Sequence, residues 1–315
     1  MPDPLSCSTD RATTVGRVSR SEHLVRAVDL RRALAQRGSE ASPGNERPPA
    51  TGRPVLLLDV RWRLTHRAGA DRERHAVGHL PGARFLDLEQ VLTTHSDDPR
   101  DGRHPLPDVE TLEHGLGALG VEVVDDVVVY DEPGSFAAAR AWWVLRWAGI
   151  RARVLDGGLP AWVEIGGPLE AGDEVTWGAT TPRLTPGHLP TLTADDAATR
   201  GQRAVLLDAR APERYRGEVE PLDPRAGHIP GAVNVPAAGL LTGSGTLLPD
   251  DELRAALGGL SASGDVAAYC GSGVSAAQDV LALAVLDVEA ALFPGSWSAW
   301  SNDPQRPAAT GALPG

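Results

Sequence analysis

The residue with the clearest chemical potential is Cys270, which opens the loop Cys-Gly-Ser-Gly-Val-Ser and is one of only two cysteines in the chain. A short apolar run precedes it and an alanine-rich stretch follows, a pattern typical of a strand, a tight loop and a helix. Main-chain N–H groups in such a loop, and the helix N-terminus, favour an anion and so stabilise a thiolate. Gly271 and Gly273 allow the backbone to curl around the sulfur. The pattern therefore predicts a nucleophilic thiolate rather than a buried, inert cysteine.

The chain contains the same pattern twice, and this loop belongs to the second copy. Residues 56–61 read LLLDVR and residues 206–210 read LLDAR, and a Gly-His-Leu/Ile-Pro-Gly turn follows each of them. Further along, VVVYDEPGSFAAARA parallels VAAYCGSGVSAAQDV, which sets Asp131 of the first copy opposite Cys270 of the second. Because an aspartate cannot supply a thiolate, the first copy is predicted to be catalytically inactive.

Each copy alternates apolar, β-branched runs with helical patterns that begin at an acidic residue after a proline. This alternation predicts an α/β fold in which each copy is a parallel sheet flanked by helices. The predicted strands are Val55–Val60, Val127–Tyr130, Val205–Asp208 and Val266–Tyr269, and the predicted helices include Asp108–Leu119 and Asp250–Leu257. The predicted organisation is a mobile segment over 1–20, an inactive domain over 21–165, a linker over 166–190 and a catalytic domain over 191–315.

Composition limits the classes of function. The formal net charge is -12, all 30 basic residues are Arg, and no basic stripe is present, which argues against a nucleic-acid partner. So few cysteines fit a reducing compartment, and neither a membrane-spanning apolar run nor a secretory signal is visible. No nucleotide, flavin or metal motif occurs. We therefore expect a cytoplasmic protein without cofactor, metal or membrane partner.

Together these motifs resemble the tandem-domain rhodanese-like sulfurtransferases, which include 3-mercaptopyruvate and thiosulfate sulfurtransferases. The resemblance runs from about Val55 to Gly311 and is carried by LLLDVRW, GHLPGARFLDLE, GRHPLPD, AWWVLRWAG, VLDGGLPAW, RYRGEVEPLDPRAGHIPGAVNVP, YCGSGVSAA and GSWSAWSNDPQRP. It implies two rhodanese-like domains and covalent catalysis, in which Cys270 accepts a sulfur atom as a persulfide and passes it to cyanide or a thiol. A thioredoxin-like reductant is a further acceptor that this chemistry would allow.

The resemblance also implies roles for individual residues around the cysteine. Arg214 and Arg225 match the pair that clamps the carboxylate and keto oxygen of mercaptopyruvate, and the planar fork of Arg suits an α-keto acid. Ser272 matches the loop hydroxyl that assists proton transfer. His104 matches the first-domain histidine that completes this proton relay. Glu89 stands where the family usually has the Asp of the relay.

The loop itself indicates the donor. Thiosulfate-using members commonly carry Arg and Lys after the cysteine, whereas Gly271 and Ser272 are neutral, which favours 3-mercaptopyruvate. Gly273, Val274 and Ser275 complete the predicted substrate-binding loop, with Ser275 in place of the usual Thr.

Three alternatives bear on this interpretation. A cysteine-dependent phosphatase needs a loop that ends in Arg, but the sixth residue after Cys270 is Ala276, so this class is excluded. A thiosulfate donor remains open. A non-catalytic rhodanese-like binding module would be marked by loss of the cysteine, and Cys270 is present.

Overall fold

The computed structural model describes residues 20–38, 55–172, 178–259 and 265–315. Cys7 and residues 1–19 of the predicted mobile segment lie outside the described residues. The described chain contains nine strands: β1 Leu24–Val25, β2 Leu56–Asp59, β3 Arg84–Phe85, β4 Asp126–Tyr130, β5 Arg151–Leu155, β6 Val205–Asp208, β7 Val233–Asn234, β8 Val266–Tyr269 and β9 Ala290–Leu292.

The strands form two sheets, one in each half of the chain. The first has the order β1-β5-β4-β2-β3 and the second the order β7-β6-β8-β9, and neighbouring strands are parallel throughout both. The predicted α/β fold with two tandem parallel sheets is confirmed.

Helices connect successive strands, as parallel pairing requires. Several begin where the sequence supplies a cap: the Asp108 carboxylate accepts a hydrogen bond from the Thr111 N–H at 2.7 Å, and a capping box opens the helix after Thr193. The helices are α1 Ala27–Gly38, α2 Ala70–Val77, α3 Leu88–Val91, α4 Val109–Ala118, α5 Ala137–Trp147, α6 Gly158–Glu164, α7 Ala194–Arg203, α8 Pro212–Tyr215, α9 Asp250–Ala256, α10 Ala276–Val285 and α11 Ser296–Asn302.

The two halves repeat each other in backbone detail. Asp59 pairs with Tyr130 between β2 and β4, and Asp208 pairs with Tyr269 between β6 and β8. The loops that follow β4 and β8 each contain a glycine with a φ of 78°, Gly134 in the first and Gly273 in the second. The duplication seen in the sequence is thus a duplication of structure.

One apolar cluster joins the two halves through α5 and α10, the helices that follow the two equivalent loops. Trp142 and Trp143 of α5 belong to it, as do Ala277 and Leu281 of α10. Burial of apolar surface at this interface stabilises the arrangement of the halves by about 25 cal/mol per Å². The loop that follows β8 therefore lies against a continuous core rather than at a hinge.

The described part of the predicted linker runs along the first half. Glu170 exchanges main-chain hydrogen bonds with His79, and the His188 N–H donates to the Trp147 carbonyl at 3.1 Å. The following Thr191 forms a parallel bridge with Leu292, next to β9. In the described residues, no helix combines the length and apolar character needed to cross a membrane.

Candidate active site

The loop that follows β8 holds Cys270 at a buried position, with its side chain at the base of a cleft. The Gly273 N–H donates to the Cys270 sulfur at 3.1 Å. The main chain of Cys270 is anchored to the start of α11: its N–H donates to Ser296 Oγ at 3.1 Å, and its carbonyl accepts from the Trp297 N–H at 2.9 Å. A side chain at position 273 would collide with the Pro294 carbonyl oxygen at 2.7 Å, so this turn requires glycine.

Both halves of the molecule form the cleft, which has a volume of about 380 Å³. The loop that begins at Cys270 provides one wall, and aromatic side chains from the first half provide part of the other. Its lining includes Trp62, Arg103, Phe136, Arg214, Cys270, Gly271, Ser272, Val274 and Ser275.

Three side chains form a hydrogen-bonded chain that starts beside Cys270 and crosses the interface. Ser272 Oγ lies 2.7 Å from His104 Nδ1, and His104 Nε2 lies 3.1 Å from Glu89 Oε1. The Trp62 indole N–H donates to the same Glu89 oxygen at 2.9 Å. The structure thus brings together the serine, histidine and acid that the sequence singled out.

Burial and hydrogen bonding together shift the pKa values of His104 and Glu89. Burial lowers the pKa of His104, and the hydrogen bond and charge of Glu89 oppose that shift without reversing it. Burial alone would raise the pKa of Glu89, but the bonds from His104 and Trp62 outweigh it and lower the pKa. An ionised Glu89 can only accept, so His104 carries its hydrogen on Nε2 and offers the Nδ1 lone pair to the Ser272 hydroxyl.

Two arginines approach the loop from the rim of the cleft. A Cβ atom at Gly271 would lie 3.1 Å from Arg103 Nη2 and 3.4 Å from Arg214 Nη1, so the absence of a side chain lets both cations come close. Arg214 donates to Glu220 at 2.7 Å and to Asp223 at 3.2 Å, and Arg103 also pairs with Asp223. Burial raises the pKa of Asp223, and the charge of Arg103 opposes this shift.

Arg225, predicted as the second arginine of a substrate clamp, lies away from this rim. Its guanidinium donates to four main-chain carbonyls at the end of α11 and beyond, at 2.7 to 2.9 Å. The acceptors are Trp300, Ser301, Asp303 and Arg306. Because these bonds occupy its donors, Arg225 secures the C-terminal segment, and Arg103 stands beside Arg214 in its place.

The sequence did not single out Arg103 and Arg140, which the structure places beside Gly271 and Gly273. Arg103 precedes His104 in the GRHPLPD segment, so a second cation near the relay was visible there. Arg140 interrupts the apolar run AAARAWWVL, and a charge inside a helix that is otherwise apolar is the signal that could have found it.

An acidic side chain occupies the equivalent loop of the first half. Asp131 stands where Cys270 stands in the second half, and its carboxylate accepts from the Ala138 N–H at 3.0 Å. The space around it is only about 40 Å³, and Leu247 and Gly245 of the second half line it. This half therefore lacks both a thiol and a cleft at the equivalent position.

Comparison with known proteins agrees with this geometry. The model of the rhodanese-like domain matches residues 46–165 and again residues 193–303. The SseB protein of Mycobacterium tuberculosis, named provisionally as a thiosulfate sulfurtransferase, is 49% identical over 265 residues, which are 82% of this chain and 92% of the relative. The 3-mercaptopyruvate sulfurtransferase of Escherichia coli is 40% identical over 230 residues, which are 71% of this chain and 80% of the relative.

The solved structure of SseA from Escherichia coli superposes with a TM-score of 0.70 at 33% identity, over 87% of this chain and 98% of that one. Two matched domains, relatives at this level of identity and a shared fold all agree with the duplicated sheets described above. The chain therefore belongs to the rhodanese family, and it is a sulfurtransferase.

Proposed function

We propose that this sulfurtransferase takes sulfur from 3-mercaptopyruvate, carries it as a persulfide on Cys270 and delivers it to a small thiophilic acceptor such as cyanide or a thiol. The observation that carries the choice of donor is the hydrogen-bonded chain from Ser272 through His104 to Glu89. Such a chain moves a proton, and the two candidate donors differ in whether a proton must move.

With 3-mercaptopyruvate, the Cys270 thiolate attacks the donor sulfur and the carbon–sulfur bond breaks. The electron pair of that bond remains on the carbon as an enolate, which must take a proton to become pyruvate. The donor thiol loses a proton in the same step, and Ser272, backed by neutral His104, can pass it on. With thiosulfate, sulfite leaves as a stable dianion and no proton is transferred.

The cleft also suits the anionic end of an α-keto acid. Arg103 and Arg214 reach the loop at Gly271, and guanidinium groups bind carboxylates through paired N–H donors. A donor carboxylate would share these cations with Glu220 and Asp223. Arg103 therefore replaces Arg225 as the second member of the proposed clamp.

The acceptor side is open to solvent through the cleft. A small thiol or cyanide fits a volume of about 380 Å³, and a thioredoxin-like reductant could reach the persulfide only through an exposed thiolate of its own. A free, buried thiol suits a reducing compartment, so we place the reaction in the cytoplasm. A nucleic-acid or membrane partner has no role in this proposal.

The test compares sulfur transfer to cyanide from 3-mercaptopyruvate and from thiosulfate, each as kcat/KM. The Cys270→Ser variant should lose both activities. His104→Gln should lower kcat/KM about 10²-fold for 3-mercaptopyruvate and leave thiosulfate nearly unchanged, because only the first donor needs the relay. His114→Gln, on the exposed side of α4, is the matched control and should behave as wild type.

A wild type that prefers thiosulfate, or a His104→Gln variant that loses both donors equally, would contradict the proposed donor. The thiosulfate alternative is favoured by the provisional name of the Mycobacterium tuberculosis relative. Absence of transfer from either donor, with no change in Cys270→Ser, would indicate a non-catalytic binding module.

A further inference from the structure

Arg140 lies in α5 of the first half, yet its side chain reaches the catalytic loop of the second. It is fully buried, with 0% of its surface exposed. Its guanidinium lies 3.5 Å from the Gly273 carbonyl oxygen and donates to the carbonyls of His104 and Pro105 at 3.0 and 3.2 Å. A single side chain thus connects the loop that carries Cys270 to the segment that carries the relay histidine.

The charge of Arg140 has no carboxylate to balance it among the described residues: the hydrogen-bond partners of its guanidinium are main-chain carbonyls. Burial lowers the pKa of Arg140 to about 10, and the charge of Cys270 opposes this shift. The group is therefore a cation at neutral pH. A buried cation without an anion is costly, so an anion that forms nearby gains from it.

The other charged groups around the thiol do not take this role. Arg103 and Arg214 at the rim are paired with Glu220 and Asp223. His104 is held neutral, and the charge of Arg140 contributes to this.

The second half also places an acidic residue near Cys270. Asp279 on α10 is the counterpart of Arg140 in the second half. Burial raises the pKa of Asp279 well above its usual value, and the charges of Cys270 and Asp208 act in the same direction. Neither carboxylate oxygen of Asp279 has a hydrogen-bond partner among the described residues, so Asp279 does not pair with Arg140.

We propose that Arg140 is a positioning residue for sulfur transfer: from the first half it holds the catalytic loop against the relay segment, and it supplies the buried positive charge that stabilises the Cys270 thiolate and its persulfide anion. This inference rests on the proposed function because it takes Cys270 as the sulfur carrier. It gives the first half, whose equivalent loop holds Asp131 instead of a cysteine, a direct part in the reaction.

The experiment compares Arg140→Met, which removes the charge, with Arg140→Lys, which keeps it, in the full chain. Arg146→Met on the same helix is the control, because Arg146 contacts the Glu22 carbonyl away from the loop. The rate of iodoacetamide alkylation is measured against pH for the Cys270 peptide by mass spectrometry, since Cys7 also carries a thiol. Sulfur transfer from both donors is measured in parallel, and circular dichroism verifies folding.

We expect the pH midpoint of alkylation to rise by about one unit in Arg140→Met and to change by less than about half a unit in Arg140→Lys. Sulfur transfer near neutral pH should fall about tenfold or more in Arg140→Met. Arg140→Lys should lose kcat, because an ammonium cannot span the same carbonyls as the planar fork. If the methionine variant does not fold, Arg140→Gln gives the same comparison of a neutral side chain with a charged one.

An alkylation midpoint in the neutral variants equal to that of the wild type would overturn the electrostatic role, even if kcat fell. A shifted midpoint in a protein that transfers sulfur from neither donor would leave the role of Arg140 standing and contradict the proposed function. The two claims can therefore fail separately.

Discussion

Glu89 and His104 set each other's charge, and Glu89→Gln tests this directly. As the pH falls through the pKa of His104, the ring takes a second proton and can no longer accept from Ser272, so activity with 3-mercaptopyruvate should fall. The charge of Glu89 raises that pKa against the effect of burial. Its removal should move the acid limb of the kcat/KM profile to lower pH by roughly 0.5–1 unit.

The plateau value of kcat/KM above the acid limb should also fall about three- to tenfold in Glu89→Gln. A neutral amide accepts a weaker hydrogen bond from His104 Nε2 than a carboxylate does. The control is His95→Gln, since the exposed His95 touches the other Glu89 oxygen at 3.2 Å from the solvent side. A limb that moves to higher pH, or a similar shift in the control, would contradict this account of the relay.

The individual site residues show where a local sequence pattern suffices to predict the placement of a side chain and where it does not. Cys270 stood out because strand, glycine loop and helix are consecutive in the chain, so the local sequence specifies the geometry around its sulfur. The contacts of Arg225 could not be predicted because its carbonyl acceptors lie 75 to 81 residues later, in a segment whose path no local pattern specifies. The contact between Ser272 and His104 also spans 168 residues, and only the family resemblance suggested it.

The equivalent loops after β4 and β8 differ in the side chain at their first position, a half-buried Asp131 or a buried Cys270, and Asp131→Asn tests the consequence for stability. Burial raises the pKa of Asp131 to about 7, with further contributions from the charges of Glu132 and Asp59. A carboxyl whose pKa is raised on folding destabilises the folded state when it is ionised. The free energy of unfolding should therefore decrease as the pH rises from about 4 to about 7 and Asp131 ionises.

Asparagine keeps an acceptor for the Ala138 N–H and removes the ionisation. Asp131→Asn should be close to the wild type in stability near pH 4 and exceed it at pH 8 by up to about 4 kcal/mol, observed as a higher Tm. The exposed Asp97→Asn serves as the control and should follow the wild type at both pH values. Equal pH dependence of Tm in Asp131→Asn and the wild type would show that the Asp131 carboxyl is not destabilising.

The longer elements were predictable and the shortest ones were not. The strands Val205–Asp208 and Val266–Tyr269 coincide with their apolar runs, since a buried parallel strand requires such a run. β1 contains two residues, Leu24 and Val25, and its pairing with β5 is a tertiary choice that no periodicity reveals. The same holds for the single bridge from Thr191 to Leu292 in the second half.

The molecule as a whole works as one unit because the two halves share a core and a site. The apolar cluster runs from β1 through α5 and α10 to β9, so separation would expose it on both sides. The nucleophile belongs to the second half, whereas Glu89, His104 and Arg140 belong to the first. We therefore expect the halves to unfold in a single transition, with the Tm the same by tryptophan fluorescence and by loss of activity.

Dividing the chain tests this unity most directly. Residues 178–315 alone would carry Cys270 but expose the apolar face of α10 and lack the relay and Arg140, so this fragment should associate in size-exclusion chromatography and transfer no sulfur. Residues 20–172, co-expressed as a separate chain, should cover that face, and the pair should co-purify with activity restored to within about tenfold of the intact chain, the cost of assembling two chains. A monomeric fragment 178–315 with the activity of the intact chain would show that the first half is dispensable, because catalysis would then need neither the shared core nor the side chains that cross it.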